Sequence, residues 1–166
     1  MGHVDKRLLI PVLIGIAVVA VVVVFILGGT KGAHLELKWK LVKPRVGSID
    51  ENSSAVITDF RIANESDVRF VVGDVTATLT KPNGETADAS VIAASDVPQL
   101  LQFNRFLGDQ YNPVLKMRDE IRPHEMFDRM VAVRLEVPLA VAQKSKMTLT
   151  LHEVDGVESS TTVPLQ

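Results

Sequence analysis

The sequence predicts an all-β protein: an N-terminal transmembrane helix, then an antiparallel β-sandwich with one short helical insertion. Three observations support this. Residues 8–27 form an apolar run without a charge, several later segments alternate between apolar and polar residues, and turn-forming residues separate those segments. Together they indicate about seven or eight short strands at roughly even spacing, which is typical of a β-sandwich.

Residues 8–27 read LLIPVLIGIAVVAVVVVFIL. A helix rises about 1.5 Å per residue, so twenty residues reach roughly 30 Å, the thickness of the hydrocarbon layer of a bilayer. The run separates a seven-residue tip, 1–7, from a Gly-rich linker, 28–33, and a domain over 34–166. The prediction is therefore a tip, a span that contacts the lipid bilayer, a linker and one exported domain.

The orientation of the span rests on flanking charge. Lys6 and Arg7 directly precede it, which favours a cytoplasmic N-terminus under the positive-inside rule, although Lys38, Lys40 and other basic residues after the span weaken the argument. A cleaved signal peptide is the alternative interpretation. The apolar run is longer than the usual signal-peptide core of about 7–15 residues, and no clean small-residue cleavage site follows, so we expect an uncleaved anchor.

The first two predicted strands follow the linker. In HLELKWKLV, residues 34–42, Leu37 and Trp39 share a face and Lys38 lies on the other, as in a half-buried strand. The next segment, 55–63, places Phe60 on its apolar face and Asp59 on the opposite face. A loop is expected between the two strands.

A hairpin is predicted next. An extended segment runs from 68 to 80 with a bend at Gly73, and the turn Lys81-Pro82-Asn83-Gly84 leads into a returning strand over 85–93. Further along, 126–137 is the clearest strand, and 146–154 and 156–164 follow it. A short turn or helix over 139–144 is expected between them.

The alternating pattern breaks between residues 96 and 113, a stretch we call the insertion. Ser95 and Asp96 supply a helix cap, Pro98 lies just inside the start, and apolar residues recur at helical spacing until Gly108. We expect a helix of about ten residues, which either plugs one end of the sandwich or presents a recognition surface. The candidate partner-binding residues in the insertion are Leu100, Phe103, Phe106 and Tyr111.

A charged stretch over 118–129 follows, and it adds Arg118 and Glu120 to the candidate partner-binding residues. The alternative interpretation is a solvated loop whose ion pairs contribute about 0–1 kcal/mol each. Arg129 shares the parity of the core residues of its strand, so it needs a carboxylate partner, and Asp119 and Asp96 are the candidates.

Two segments resemble known families. ITDFRIANESDVRFVVGDVTATL, residues 57–79, resembles the immunoglobulin-like domains of late-embryogenesis-abundant type 2 proteins. IRPHE, residues 121–125, followed by VRLEVP, residues 133–138, resembles a bacterial immunoglobulin-like family of unknown function, with His124 and Leu135 at positions where that family has Gly and Phe. LGDQYNPVLKMRDEI, DRMVAVRLEVP and HEVDG are similar to bacterial single-span proteins. The resemblance implies an immunoglobulin-like sandwich on the periplasmic side of a bacterial inner membrane and implies no catalytic residues.

Several kinds of chemistry lack support in the sequence. There is no cysteine, the four histidines show no metal-ligand spacing, and no nucleotide-binding or hydrolase motif occurs. The net charge is −2, and the acidic and basic residues are interspersed along the sequence. They form no basic face of the kind that nucleic-acid binding needs. We therefore expect no catalytic residue, cofactor, metal or nucleic-acid partner.

The function predicted from the sequence is that of a membrane-tethered, non-catalytic binding or assembly module of the cell envelope with a protein partner. The first alternative is an accessory subunit of a larger membrane complex, in which the span packs against other helices. A hydrolase ranks third, because no nucleophile and base can be paired.

Overall fold

The computed structural model describes residues 15, 16, 18–21 and 37–166. The chain divides into two compact units, Met1–His34 and Leu35–Gln166. In the first unit, residues 15, 16 and 18–21 are helical. The predicted tip, the linker and most of the predicted span over 8–27 lie outside the described residues. Within the described part of the chain, no helix has the length and apolar character needed to cross a bilayer.

The second unit contains nine strands in its described part, and they pair antiparallel. Their bounds are β1 Leu37–Leu41, β2 Arg45–Ser48, β3 Ser54–Asn64, β4 Phe70–Thr80, β5 Thr86–Val91, β6 Glu120–Ile121, β7 Met126–Leu135, β8 Lys146–Glu153 and β9 Glu158–Pro164. The helices are α1 Val97–Phe103, the 3-10 helix η1 Arg105–Leu107 and α2 Leu139–Ala142.

The strands form two layers that are joined by β5. In one layer, β1 and β2 pair one after the other along the same edge of β3, and β7 pairs along its other edge. The other has β4, β8 and β9, with β6 paired to the start of β4. Residues 86–89 of β5 pair with β4, whereas Ser90 and Val91 pair with β7, so this strand passes from one layer to the other. The predicted antiparallel sandwich is confirmed.

The main core lies between the layers, where alternate residues of facing strands meet. Its largest fully buried members include Phe60 of β3, Phe70 and Leu79 of β4, and Leu149 of β8. Trp39 of β1 contacts this core at its edge, with its ring centroid 5.2 Å from that of Phe60, and its Nε1 donates to Ser159 Oγ of β9 at 2.8 Å. This bond ties the outer strands of the two layers together.

A second apolar cluster covers the opposite face of β3 and β7. It consists of Ala55, Ile57, Val97, Leu107, Val114, Met130 and Ala132. Because Val97 and Leu107 belong to the insertion, that segment packs flat over the outer face of the β3–β7 layer. The expectation that it plugs one end of the sandwich is therefore wrong.

Several strand bounds differ from the sequence prediction. The loop expected after residue 43 contains the short strand β2, and the charged stretch over 118–129, for which a solvated loop was one interpretation, contains β6. The bend at Gly73 is confirmed as a register shift between Val72 and Asp74, and the hairpin turn at Gly84 is confirmed with φ of 87°. Short strands such as β2 and β6 depend on a neighbouring strand, and they leave little periodicity in the sequence.

Candidate functional site

The insertion begins with α1, which buries only part of its apolar residues. Val97 is fully buried against the outer cluster, and Leu100 and Leu101 are half-buried against it. The predicted ten-residue helix is shorter, because it ends at Phe103 and Asn104 leaves the helical conformation with φ of −118° and ψ of 82°. Asp96 occupies the N-cap without a side-chain cap bond, since its Oδ1 accepts from Ser95 Oγ instead.

The 3-10 helix η1 turns the chain back onto the sheet. Leu107 is fully buried, and Gly108 follows with φ of 72°, a conformation that glycine adopts without strain. Because consecutive residues of a tight turn point in different directions, burying Leu107 directs Phe106 outward. Phe106 is 95% exposed and Phe103 is 79% exposed.

Arg45 of β2 holds this turn in place. Its Nη1 donates to the backbone oxygens of Leu107 and Asp109, and its Nη2 donates to Asp59 Oδ2 at 2.9 Å. Asn112 Nδ2 donates to the other carboxylate oxygen of Asp59, also at 2.9 Å. The guanidinium thereby connects β2 to β3, to η1 and to the start of the loop that follows η1. Asp59 lies on the face of β3 opposite Phe60, as expected, and is only 4% exposed because the insertion covers it.

A second set of contacts fixes η1 against β2. A Cβ placed on Gly47 would lie 3.0 Å from Leu107 Cδ2 and 3.3 Å from Asn104 Nδ2, so the strand and the insertion approach closely at this residue. Asn104 Nδ2 also donates to the backbone oxygen of Ser48. The insertion is therefore held by buried apolar contacts, by a charged hydrogen-bond network and by close backbone packing.

A cleft of about 260 Å³ opens between the insertion and the loop after β2. Its lining residues are Ser48, Ile49, Leu100, Phe103, Asn104 and Phe106. We call the exposed apolar surface formed by Ile49, Leu100, Phe103 and Phe106 the ridge. Ile49 is 41% exposed, and Phe103 and Phe106 are more exposed still, whereas Leu100 is half-buried. Most of the ridge therefore faces solvent. The volume lies below the 300–1,000 Å³ typical of small-molecule pockets and is closer to that of one large side chain.

Tyr111 lies apart from the cleft lining but close to the hydrogen-bonded group of Arg45, Asp59 and Asn112, which we call the clamp. Its ring centroid is 4.8 Å from Arg45 Cζ, within the range of a cation–π contact, and it is 69% exposed. Thus the structure brings Leu100, Phe103 and Phe106 together at one cleft and places Tyr111 over the guanidinium that holds the turn.

Arg118 and Glu120 belong to a different part of the domain. Arg118 donates its backbone N–H to Val72 O at 2.7 Å, and Glu120 lies in β6, so both border β4 in the other layer. Both side chains are exposed, and Glu120 lies 4.0 Å from Arg69 in a solvent-exposed ion pair. The six candidate residues therefore form two separate groups.

Arg129 confirms the expectation drawn from its parity. Its Nε donates to Asp119 Oδ2 at 3.0 Å, and its Cζ lies 3.7 Å from the centroid of the Phe127 ring. The Arg129 side chain is 24% exposed, so the pair lies at the margin of the core. Of the two expected carboxylate partners, Asp119 is the one it contacts.

One titratable group with a shifted pKa adjoins the ridge: hydrogen bonds from Ser53 Oγ and from the backbone N–H of Asn52 lower the pKa of Asp50. The other shifted groups line no part of the cleft. Hydrogen bonds from Arg61, at 2.7 Å to each oxygen, lower the pKa of Asp128. Burial raises the pKa of Glu153 at the end of β8. The described residues contain no group of three or more His, Asp or Glu side chains placed to hold a metal ion. His124 pairs with Asp67 instead, at 3.0 Å.

The sequence missed the residues that hold the ridge in place. Arg45, Gly47 and Asp59 were assigned to a loop or to an exposed strand face. Arg45 and Leu107 are 62 positions apart, and no local pattern links them. The one available indication was Asp59, the only acidic residue of the strand predicted over 55–63.

Comparison with known proteins gives structural neighbours alone. No family model matches the chain, and no curated protein matches it. Among solved structures, it is similar to the archaellum periplasmic stator protein FlaG from Sulfolobus acidocaldarius, with 11% identity, a TM-score of 0.33 and coverage of 76% of this chain and 100% of that one. A β-sandwich protein from Clostridium difficile 630 gives 13% identity, a TM-score of 0.34 and coverage of 77% and 81%. Likeness at this level carries no information about function.

Proposed function

We propose that this chain is a membrane-tethered, non-catalytic binding module of the cell envelope that docks a protein partner on the ridge. The observation that carries the proposal is the combination of exposure and rigidity in the insertion. Phe103 and Phe106 face solvent, while Leu107, between Phe106 and the clamp, is fully buried.

Exposure of two phenylalanines on one turn needs an explanation because a Phe side chain has about 150–250 Å² of surface, mostly apolar. With 79% and 95% of their surfaces exposed, the two rings present about 350 Å² of accessible surface, the size of a patch that is often functional on a monomer. Buried aromatic anchors dominate the energetics of protein interfaces.

Rigidity makes the same surface suitable for binding. Arg45 holds the backbone at Leu107 and Asp109, and Asn104 is bonded to Ser48 of β2, so the two rings have little backbone freedom to lose on association. Tyr111 extends the surface next to the clamp. Arg118 and Glu120 are assigned to a second, polar contact on the other layer.

The tether and its orientation complete the proposal. The apolar run over 8–27 supports an anchor in the bilayer, with residues 1–7 in the cytoplasm and the immunoglobulin-like sandwich exported to the periplasmic side of a bacterial inner membrane. A tether confines the domain to a thin layer at the membrane, which raises the effective concentration of any partner in the same layer.

Co-purification after cross-linking in intact membranes tests the function. Wild type is compared with Phe103→Ser/Phe106→Ser and with a control, Met126→Ser/Val154→Ser, which changes two side chains that are 70% and 64% exposed elsewhere. We expect one protein to be retained by wild type and the control and lost from the ridge variant. Equal recovery of the partner with the wild type and both variants would overturn the proposal and would favour a complex held together by the span.

A further inference from the structure

We propose that the partner docked on the ridge is a second copy of this chain, related by a two-fold axis that runs along the cleft. This inference rests on the proposed function, because it names the partner of the same surface. It follows from three features of the cleft: its shape, the charges on its walls and the area that it offers.

The ridge contains both a protrusion and a recess. Phe106 projects from the rim with 95% of its surface exposed, and the adjoining cleft of about 260 Å³ is lined mostly by apolar side chains. That volume accommodates one large side chain. In a two-fold interface the same patch serves both subunits, so a projecting ring beside an apolar recess is self-complementary.

The two walls of the cleft carry opposite charge. The loop wall continues from Ile49 into Asp50 and Glu51, and the helical wall carries Arg105 between the two phenylalanines. Arg105 and Glu51 are exposed, and neither forms an ion pair with another residue of 37–166. A two-fold axis along the cleft places the helical wall of one copy opposite the loop wall of the other. Arg105 of each copy then faces Glu51 of the other, so this pair occurs twice in the dimer.

The area of the ridge agrees with a dimer that depends on the tether. A stable protein interface buries about 800 Å² on each partner, whereas the two phenylalanines and Ile49 offer about 400 Å². Association through so small a surface is weak in free solution. Two copies anchored in one bilayer meet at a much higher effective concentration, which compensates for the small area.

The absence of cysteine from the whole sequence makes a direct test simple. Glu51→Cys and Arg105→Cys are introduced into separately tagged full-length chains, which are co-reconstituted in liposomes at low density and treated with a short bis-maleimide linker. We expect a mixed dimer of the two variants, formed in higher yield than either self-linked dimer, and its loss when Phe103→Ser/Phe106→Ser is added. Low density limits random encounters, and a Val154→Cys pair measures those that remain.

Charge reversal tests the orientation without a linker. Each single change, Arg105→Glu or Glu51→Arg, is expected to lower the dimer fraction about fivefold, because it places like charges opposite each other. The double change is expected to restore the dimer. Dimer formation that is insensitive to both single changes would overturn the two-fold arrangement.

The outcomes separate this inference from the proposed function. Absence of the mixed dimer, together with ridge-dependent capture of a different protein, would overturn the proposal that the partner is a second copy. The proposed function as a binding module would then still hold. A ridge that inserts into the liposome surface, seen as Phe106-dependent binding of protein-free vesicles, overturns both. A mixed dimer that survives Phe103→Ser/Phe106→Ser also overturns the inference.

Discussion

Two neighbouring residues, Leu107 and Phe106, are expected to differ sharply in their importance for stability. Leu107 is fully buried in the outer cluster, whereas Phe106 is 95% exposed. Truncation of a buried leucine to alanine costs about 2–5 kcal/mol, because the transfer free energy is lost and a cavity remains. We expect about 3 kcal/mol for Leu107→Ala, since its contacts also hold η1 against Gly47, and under about 0.5 kcal/mol for Phe106→Ala.

The sequence contains a single tryptophan, Trp39, which contacts the core of the sandwich and therefore reports its unfolding in the full-length chain. The free energy of unfolding is measured by urea titration in detergent, followed by tryptophan fluorescence. In a thermal scan, a loss of about 3 kcal/mol corresponds to roughly 10 °C for a domain of this size. Equal losses for the two variants, or a larger loss for Phe106→Ala, would show that the insertion is not packed as described.

Three further predictions concern the supporting residues. Gly47→Ala should lower the free energy of unfolding by about 1–2 kcal/mol because its Cβ would crowd Leu107. An unchanged free energy of unfolding would show that the insertion can move away from β2 without loss of stability. Arg129→Met should cost about 1 kcal/mol by leaving Asp119 without its ion pair, with partner capture unchanged; loss of capture in a folded variant would contradict a purely structural role. Glu153→Gln should stabilise the domain at pH 7 in urea titrations. Burial raises the pKa of Glu153 in the folded state, so the wild-type carboxyl loses stability as the pH rises through that pKa, and the gain should vanish below about pH 4. A gain that is constant with pH would exclude this cause.

The core-facing sides of β7 and β8 were predictable because apolar residues recur at every second position along both strands. β7 was expected over 126–137 and runs over Met126–Leu135, and the parity of Arg129 correctly placed it on the core face. β8, with Met147 and Leu149 pointing inward, follows its predicted pattern equally well.

The environment of the outer face was not predictable by the same means. Alternation assigns Asp59 to the face away from the core, and that assignment is right, but it cannot show that a segment distant in sequence covers this face. The covering contacts come from Leu107 and from the bonds of Arg45 to Asp59 and to the turn. Such contacts depend on the tertiary path of the chain and leave no periodicity near β3.

The candidate site was predicted in composition but not in geometry. Phe103 and Phe106 were singled out because large apolar residues concentrate in a segment that departs from the sandwich pattern. The candidate residues included Phe106 and not Leu107, but helical spacing alone does not show which of the two is exposed. The break at Asn104 and the tight turn after it decide which of the two faces solvent.

Site-specific photo-cross-linking at position 106 tests the central claim most directly. A photoreactive phenylalanine analogue replaces Phe106 in the full-length chain in its own membranes, and Val154, 64% exposed in the β8–β9 turn, provides the matched control position. The account predicts a discrete protein adduct from position 106 and none of the same product from position 154. Absence of an adduct at 106, or identical adducts from both positions, would contradict a docking role for the ridge.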